Sequence, residues 1–302
     1  MDFFAKLAFI STVTVLLFVQ HCVQSWAQSD SIDTKTDKEQ ALVERWYKVY
    51  DEIAGSMKFS YSSSGIDPAP RGDSPQLKMQ MILKLVATAG MRHGEILLWT
   101  DNGRPIIIGA IMSAQDNDVP MARVIAVKFH SLTQGKVAGS RYGQVFWECD
   151  EPGVQWKEGL SDITPSSNRL TRLTQMKGIV REFEASGTVG TAKMRLLPQP
   201  VYRYPENTPE VTDGAIFAFV AETDPKAFLQ IELRQNEWVL ACSHNMAFET
   251  IIRKDGKVVW KFDRVESQTP IQTKPFYLKF TSERRLKDDP SKVLYSIWGL
   301  RQ

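Results

Sequence analysis

The sequence predicts an α+β fold built from two tandem, diverged copies of one unit, each an amphipathic helix followed by a four- to five-stranded antiparallel meander. Three observations predict it. First, Gly94 to Gln115 aligns without a gap on Gly214 to Gln235, with identities at Gly94/Gly214, Ile96/Ile216, Pro105/Pro225, Ile111/Ile231 and Gln115/Gln235. Second, features continue in the same order: Val127 to His130 faces Ala241 to His244, and Gly143 to Asp150 faces Gly256 to Asp263, sharing Gly, Val, Trp and Asp. Third, apolar residues at helical spacing precede each block. A sheet must bury its apolar face on something, and that helix is available.

Taken in chain order, residues 1–27 read as a signal peptide: Lys6, an uncharged apolar run from Leu7 to Val19, then Ser25-Trp26-Ala27 as a cleavage site. The run is too short for a stable membrane span, because Gln20, His21 and Gln24 interrupt it. Val19-Gln20-His21 before Cys22 does not make a lipobox. Residues 28–33 are a polar leader. The first unit with its linker occupies 34–165; Leu42, Trp46, Val49 and Ile53 mark its helix, with Thr36 and Glu39 as a capping box. Its turns fall at Asp101 to Pro105 and at Tyr142-Gly143, and Asp150 to Pro165 connects the halves.

The second unit spans 166–280. Its helix carries Leu173, Met176, Val180 and Phe183 after the polar start Ser166-Ser167-Asn168. Strands follow at Lys193–Leu197, Val201–Tyr204, Ala215–Val220, Ala227–Leu233, Trp238–Cys242 and Lys257–Phe262, with a hairpin turn at Asp255-Gly256. Pro198 and Pro200 confine the first two to an edge or a bulge. Residues 281–302 are expected as a tail, with a turn at Lys287 to Pro290 and a closing strand at Val293 to Ile297.

Net charge is +2, and no stretch clusters Lys and Arg as nucleic-acid binding requires. Loss of 1–27 removes Asp2 and Lys6 together and leaves that balance unchanged. Cys149 and Cys242 do not form a disulfide framework, and whether they bridge is left open; Cys242 reads as a small buried thiol.

The chain resembles a family of exported, functionally uncharacterised planctomycete proteins. The resemblance rests on Leu196 to Tyr204, Asp213 to Val220, Thr223-Asp224-Pro225, Leu98-Trp99-Thr100, Gly103-Arg104-Pro105 and Phe129-His130-Ser131-Leu132. It covers most of residues 40–280 and implies export from a bacterium; it brings no activity and no functional residues. The family often has an acidic residue where this chain has Lys128.

Candidate sites are sparse. His130 and His244 occupy equivalent places in the two units, without ligand spacing around either, and read as structural. Ser131 and Ser243 adjoin them, but strand neighbours point to opposite faces. Glu232 and Arg234 share a strand face and read as solvated; Tyr202, Arg203 and Tyr204 read as a blunted edge, or one that accepts an extended peptide. No metal or cofactor is expected. The function expected is a non-catalytic binding or envelope-associated module, periplasmic or extracellular, whose partner is a protein or an apolar ligand. The alternatives are an apolar-ligand carrier, with Phe217, Phe219, Phe228 and Trp260 lining the concave sheet face, and an enzyme of unrecognised type.

Overall fold

The computed structural model describes residues 37–62, 77–87, 92–187, 193–265 and 273–295, apart from the side chains of 86, 87, 280–282 and 295. The expected signal peptide, the leader and Thr36 lie outside the described residues. The chain divides into an N-terminal unit ending at Trp46 and a body starting at Tyr47. Of the first, residues 37–46 are described, and all are helical.

The body is α+β, mostly β, and its strands pair antiparallel. After helix α1 (37–55), β1 (Met57–Tyr61) pairs β6 (Val137–Arg141), which pairs β7 (Gln144–Cys149). Between β1 and β6 run β2 (Lys78–Ala87), β3 (Arg92–Asp101), β4 (Arg104–Gln115) and β5 (Ala122–Ser131), paired in sequence order. After helix α2 (Arg169–Val180), β8 (Phe183–Gly187) pairs β14 (Thr250–Lys254), which pairs β15 (Lys257–Phe262). Between β8 and β14 run β9 (Lys193–Leu196), β10 (Tyr202–Arg203), β11 (Asp213–Ala221), β12 (Asp224–Arg234) and β13 (Glu237–His244). β9 and β10 follow one another along one edge of β11, split by the two prolines, and β11, β12 and β13 pair in order. β8 also pairs β9, which makes the second half one eight-stranded sheet.

Residues 276–295 are not an appendage. β16 (Phe276–Leu286) pairs β5, and β17 (Asp289–Tyr295) pairs β16, completing the six-stranded sheet β17-β16-β5-β4-β3-β2. The expected turn before Pro290 is the β16–β17 connection.

Local chemistry explains the turns and the second helix. Asn102-Gly103 (φ 47° and 84°), Tyr142-Gly143 (52° and 77°) and Asp255-Gly256 (50° and 74°) are left-handed pairs, which match the twist of two-residue hairpins. Asn168 caps α2, its Oδ1 accepting from the N–H groups of Leu170 and Thr171. Arg172 ties the helix to β11 through Asp213 Oδ2 at 2.9 Å, an oxygen shared with Arg203 at 2.8 Å. Phe183, expected on this helix, opens β8 instead. The helix ends at Val180, and Phe183 keeps its apolar burial by starting a strand packed on the same core.

The six- and eight-stranded sheets face each other. Ile96, Leu98, Ile108 and Ala110 of one share a core with Ile216, Ala218, Val220 and Phe228 of the other. The far face of the eight-stranded sheet is covered by Met176, Ile179 and Val180 of α2 and by Ile252 and Trp260 as the sheet curls. The far face of the six-stranded sheet meets an aromatic cluster in which Phe59 lies 4.9 Å from Trp99 and 5.1 Å from Phe129. Central strands are therefore buried on both sides, and Glu232 is 0% exposed rather than solvated. Its side chain points between the sheets with that of Arg234, where Arg104 of β4 approaches Glu232 Oε2 at 3.8 Å.

Candidate functional site

A cleft of about 900 Å³ opens between β1 and β2, within the size range of ligand sites. The two halves differ at this joint. The strand after α2, β8, is sewn to β9 by Ala185↔Met194 and Ser186↔Lys193. The strand after α1, β1, pairs β6 on one side and carries no strand on the other among the described residues; β2 likewise ends its sheet. The cleft sits where that pairing is missing.

Its walls follow from register. Lys58, Ser140 and Val145 are cross-strand neighbours on the outer face of the small sheet, whereas Met57, Phe59 and Gly139 face inward. Residues of both sets line the cleft, so it wraps the free edge of β1; Leu77, Lys78 and Met79 form the opposite bank and Trp99 the floor. The floor is buried, Leu77 and Met79 are half-buried, and Lys58, Lys78 and Val145 are exposed. The result is an apolar trench with one ammonium group on each bank.

The backbone of β1 also addresses the cleft. Ser62 N–H donates to Lys136 O at 2.8 Å, in register with the β1–β6 ladder. Antiparallel pairs alternate between bonded and non-bonded. Ser60 and Lys58 therefore bond to β6, and the N–H and C=O groups of Met57 and Phe59 point out along the free edge.

His130 and His244 meet, with ring centroids 5.2 Å apart, but not as counterparts. Under the alignment that matches Gly94 to Gly214, Ile107 pairs Ser131 and Ala227 pairs His244, so register sets His244 against Ser131. His130 Nε2 lies 2.9 Å from Gly153 O and Nδ1 3.2 Å from His244 O. Burial pushes its pKa down to about 4, against the pull of those two carbonyls. A neutral ring donates through one nitrogen, and the shorter contact takes the proton. His244 stacks on Phe262 at 4.6 Å, and burial, then His130 and Lys128, push it down to about 2. Lys128 spans between the sheets, its Nζ donating to Asn245 O at 2.8 Å, and burial lowers it to about 8 although Asp224 opposes the fall. Sequence reasoning singled out the histidines but missed Lys128 and Asn245 beside them. The departure from an acidic residue at Lys128 was the available signal.

The four aromatic residues expected to line a concave face are core. Phe217, Phe219 and Trp260 pack under α2, whereas Phe228 lies on the opposite side of its sheet, between the two sheets. Tyr202 and Arg203 pair β11, and Tyr204 is fully buried, its hydroxyl donating to Glu232 Oε1 at 2.8 Å. Cys149 and Cys242 are free, buried thiols, and burial raises both pKa values. Among the described residues no three His, Cys, Asp or Glu side chains gather as a metal site, and no helix is long and apolar enough to cross a membrane.

Compared with known proteins, the chain matches no protein-family model, no curated protein and no solved structure.

Proposed function

We propose that the protein is a non-catalytic binding module that works outside the cytoplasm and holds its partner in the cleft between β1 and β2. The single observation behind this reading is that cleft: an apolar trench with charged banks, at a strand joint that is closed in the second half and open in the first among the described residues. The halves themselves are proposed to be diverged copies of one helix-plus-meander unit. In support, β1-β6-β7 and β8-β14-β15 pair alike, and so do β3-β4-β5 and β11-β12-β13. Export, and kinship with the planctomycete proteins it resembles, belong to the same proposal; Edman sequencing of the exported chain is expected to start at Gln28.

Native mass spectrometry of the chain from its own host, beside Val145→Trp, tests the binding site. Val145 is 47% exposed, so the indole is tolerated by the fold and narrows the cleft. A co-purifying mass lost in the variant supports the reading, and one retained in full overturns it.

A further inference from the structure

We propose that the occupant of this cleft is an extended peptide segment of a partner protein, apolar on one side and acidic on the other, which adds to β1 as a strand. The inference rests on the binding-module reading above and names its ligand.

Three features select a peptide over other occupants. The outward N–H and C=O groups of Met57 and Phe59 require hydrogen-bonding partners wherever a ligand displaces water from them. An acyl chain offers none, whereas an extended backbone offers a donor and an acceptor at every second residue, the basis of recognition by strand addition. The trench is also two-sided. Phe59, Trp99 and Met79 offer an apolar inner wall, while Lys58 and Lys78 stand exposed on the two banks. A strand alternates its side chains between faces, so a segment with apolar residues inward and carboxylates outward satisfies both walls at once. Finally, a second copy of β1 is disfavoured on this edge. It would bring its own Lys58 against this one, the device by which sheets discourage self-pairing.

The missing β1–β2 pairing makes room for such a strand. β1 stays in place without it, held by five residue pairs to β6 and by the ring of Phe59 among Trp99, Phe129 and Phe146. The wall is thus formed before the ligand arrives, which limits the ordering cost of binding.

The test uses the full exported chain and a capped peptide of alternating valine and glutamate, followed by fluorescence anisotropy. Three competitors accompany it: the same sequence N-methylated at alternate residues, the same peptide with lysine for glutamate, and palmitate. The expected result is that the glutamate peptide binds and slows amide exchange at Met57 and Phe59. N-methylation, which removes the backbone donors and keeps the side chains, is expected to weaken binding by about tenfold or more. The double variant Lys58→Glu/Lys78→Glu is expected to prefer the lysine peptide. Equal binding of the methylated peptide overturns strand addition while leaving the cleft as a binding site. Palmitate binding that Val145→Trp abolishes, with no peptide bound, does the same. If peptide and palmitate both fail and Val145→Trp changes no co-purifying mass, the binding-module reading falls with it.

Discussion

Tyr204→Phe removes one oxygen from the polar network between the sheets. The Tyr204 hydroxyl donates to Glu232 Oε1 at 2.8 Å and accepts from Gln230 Nε2 at 2.8 Å, and all three residues are buried. Glu232 is otherwise held by Arg234 Nε at 2.6 Å and, across the sheets, by Arg104 at 3.8 Å. Losing a hydrogen bond to a charged group costs about 1.5–3 kcal/mol, and the Gln230 donor left without an acceptor adds about 1 kcal/mol. The expected loss is about 3 kcal/mol, or a fall in Tm of roughly 6–12 °C for a body of this size. Urea unfolding reads it as a lower midpoint at unchanged m. Tyr202→Phe is the control: that hydroxyl is half-buried and donates to Gly103 O at 2.8 Å, a neutral bond of about 1 kcal/mol. Equal losses from the two variants would refute the view that the inter-sheet network depends on Tyr204.

Other consequences can be measured on the same protein. Gly153→Ala drives a methyl group into the Ser131 carbonyl oxygen and displaces the carbonyl that receives His130, so a loss of about 2 kcal/mol or more is expected in the same urea assay. His93, His130 and His244 are all lowered by burial, to about 3, 4 and 2, so the unfolded chain takes up protons near pH 6.5 while the fold does not. Their stabilisation is complete above pH 6.5 and is lost as pH falls toward 4, by roughly 1.4 kcal/mol per pH unit for each ring. A urea midpoint unchanged between pH 7 and pH 5 would contradict that burial. Cys149 and Cys242, buried with raised pKa values, are expected to resist an aromatic disulfide reagent until urea unfolds the chain; rapid labelling of native protein would refute this.

What could be read from the sequence was what neighbouring residues decide. The strand Lys257–Phe262 and the turns at Gly103, Gly143 and Gly256 are fixed by alternation and by glycine in the left-handed region. Gln235-Asn236 makes the same kind of turn, at φ 46° and 67°, without a glycine to announce it. Phe183 misled because it continues the helical spacing from Val180, and a core position served from either a helix or a strand looks the same in sequence. The burial of Glu232 was hidden because alternation implies one wet face only when a single layer covers the sheet. A second sheet covers the other face here, and its contacts are distant in sequence. β16 joins β5 across a comparable separation. The cleft could not be read at all, since it lies where two strands do not pair, and neither β1 nor β2 carries a residue that forbids pairing.

An open joint beside β1 is stable only if that strand is fixed by something other than β2, and Phe59 is the group that fixes it. Its ring meets Trp99 at 4.9 Å, Phe129 at 5.1 Å, Phe146 at 6.1 Å and Trp147 at 6.2 Å, all edge-on. β8, by contrast, has β9 beside it. Phe59→Ala is therefore expected to cost about 3–5 kcal/mol, and the loss is expected to be local. Amides of Lys58 and Ser60, which bond to β6, should exchange faster through opening of β1, while those of central β4 continue to report global unfolding. If the β1 and β4 amides shift by the same free energy, β1 is no separate wall but part of one cooperative core. Phe59 would then hold the whole body together rather than fixing β1 in particular, and the open joint would no longer owe its stability to a separately fixed strand.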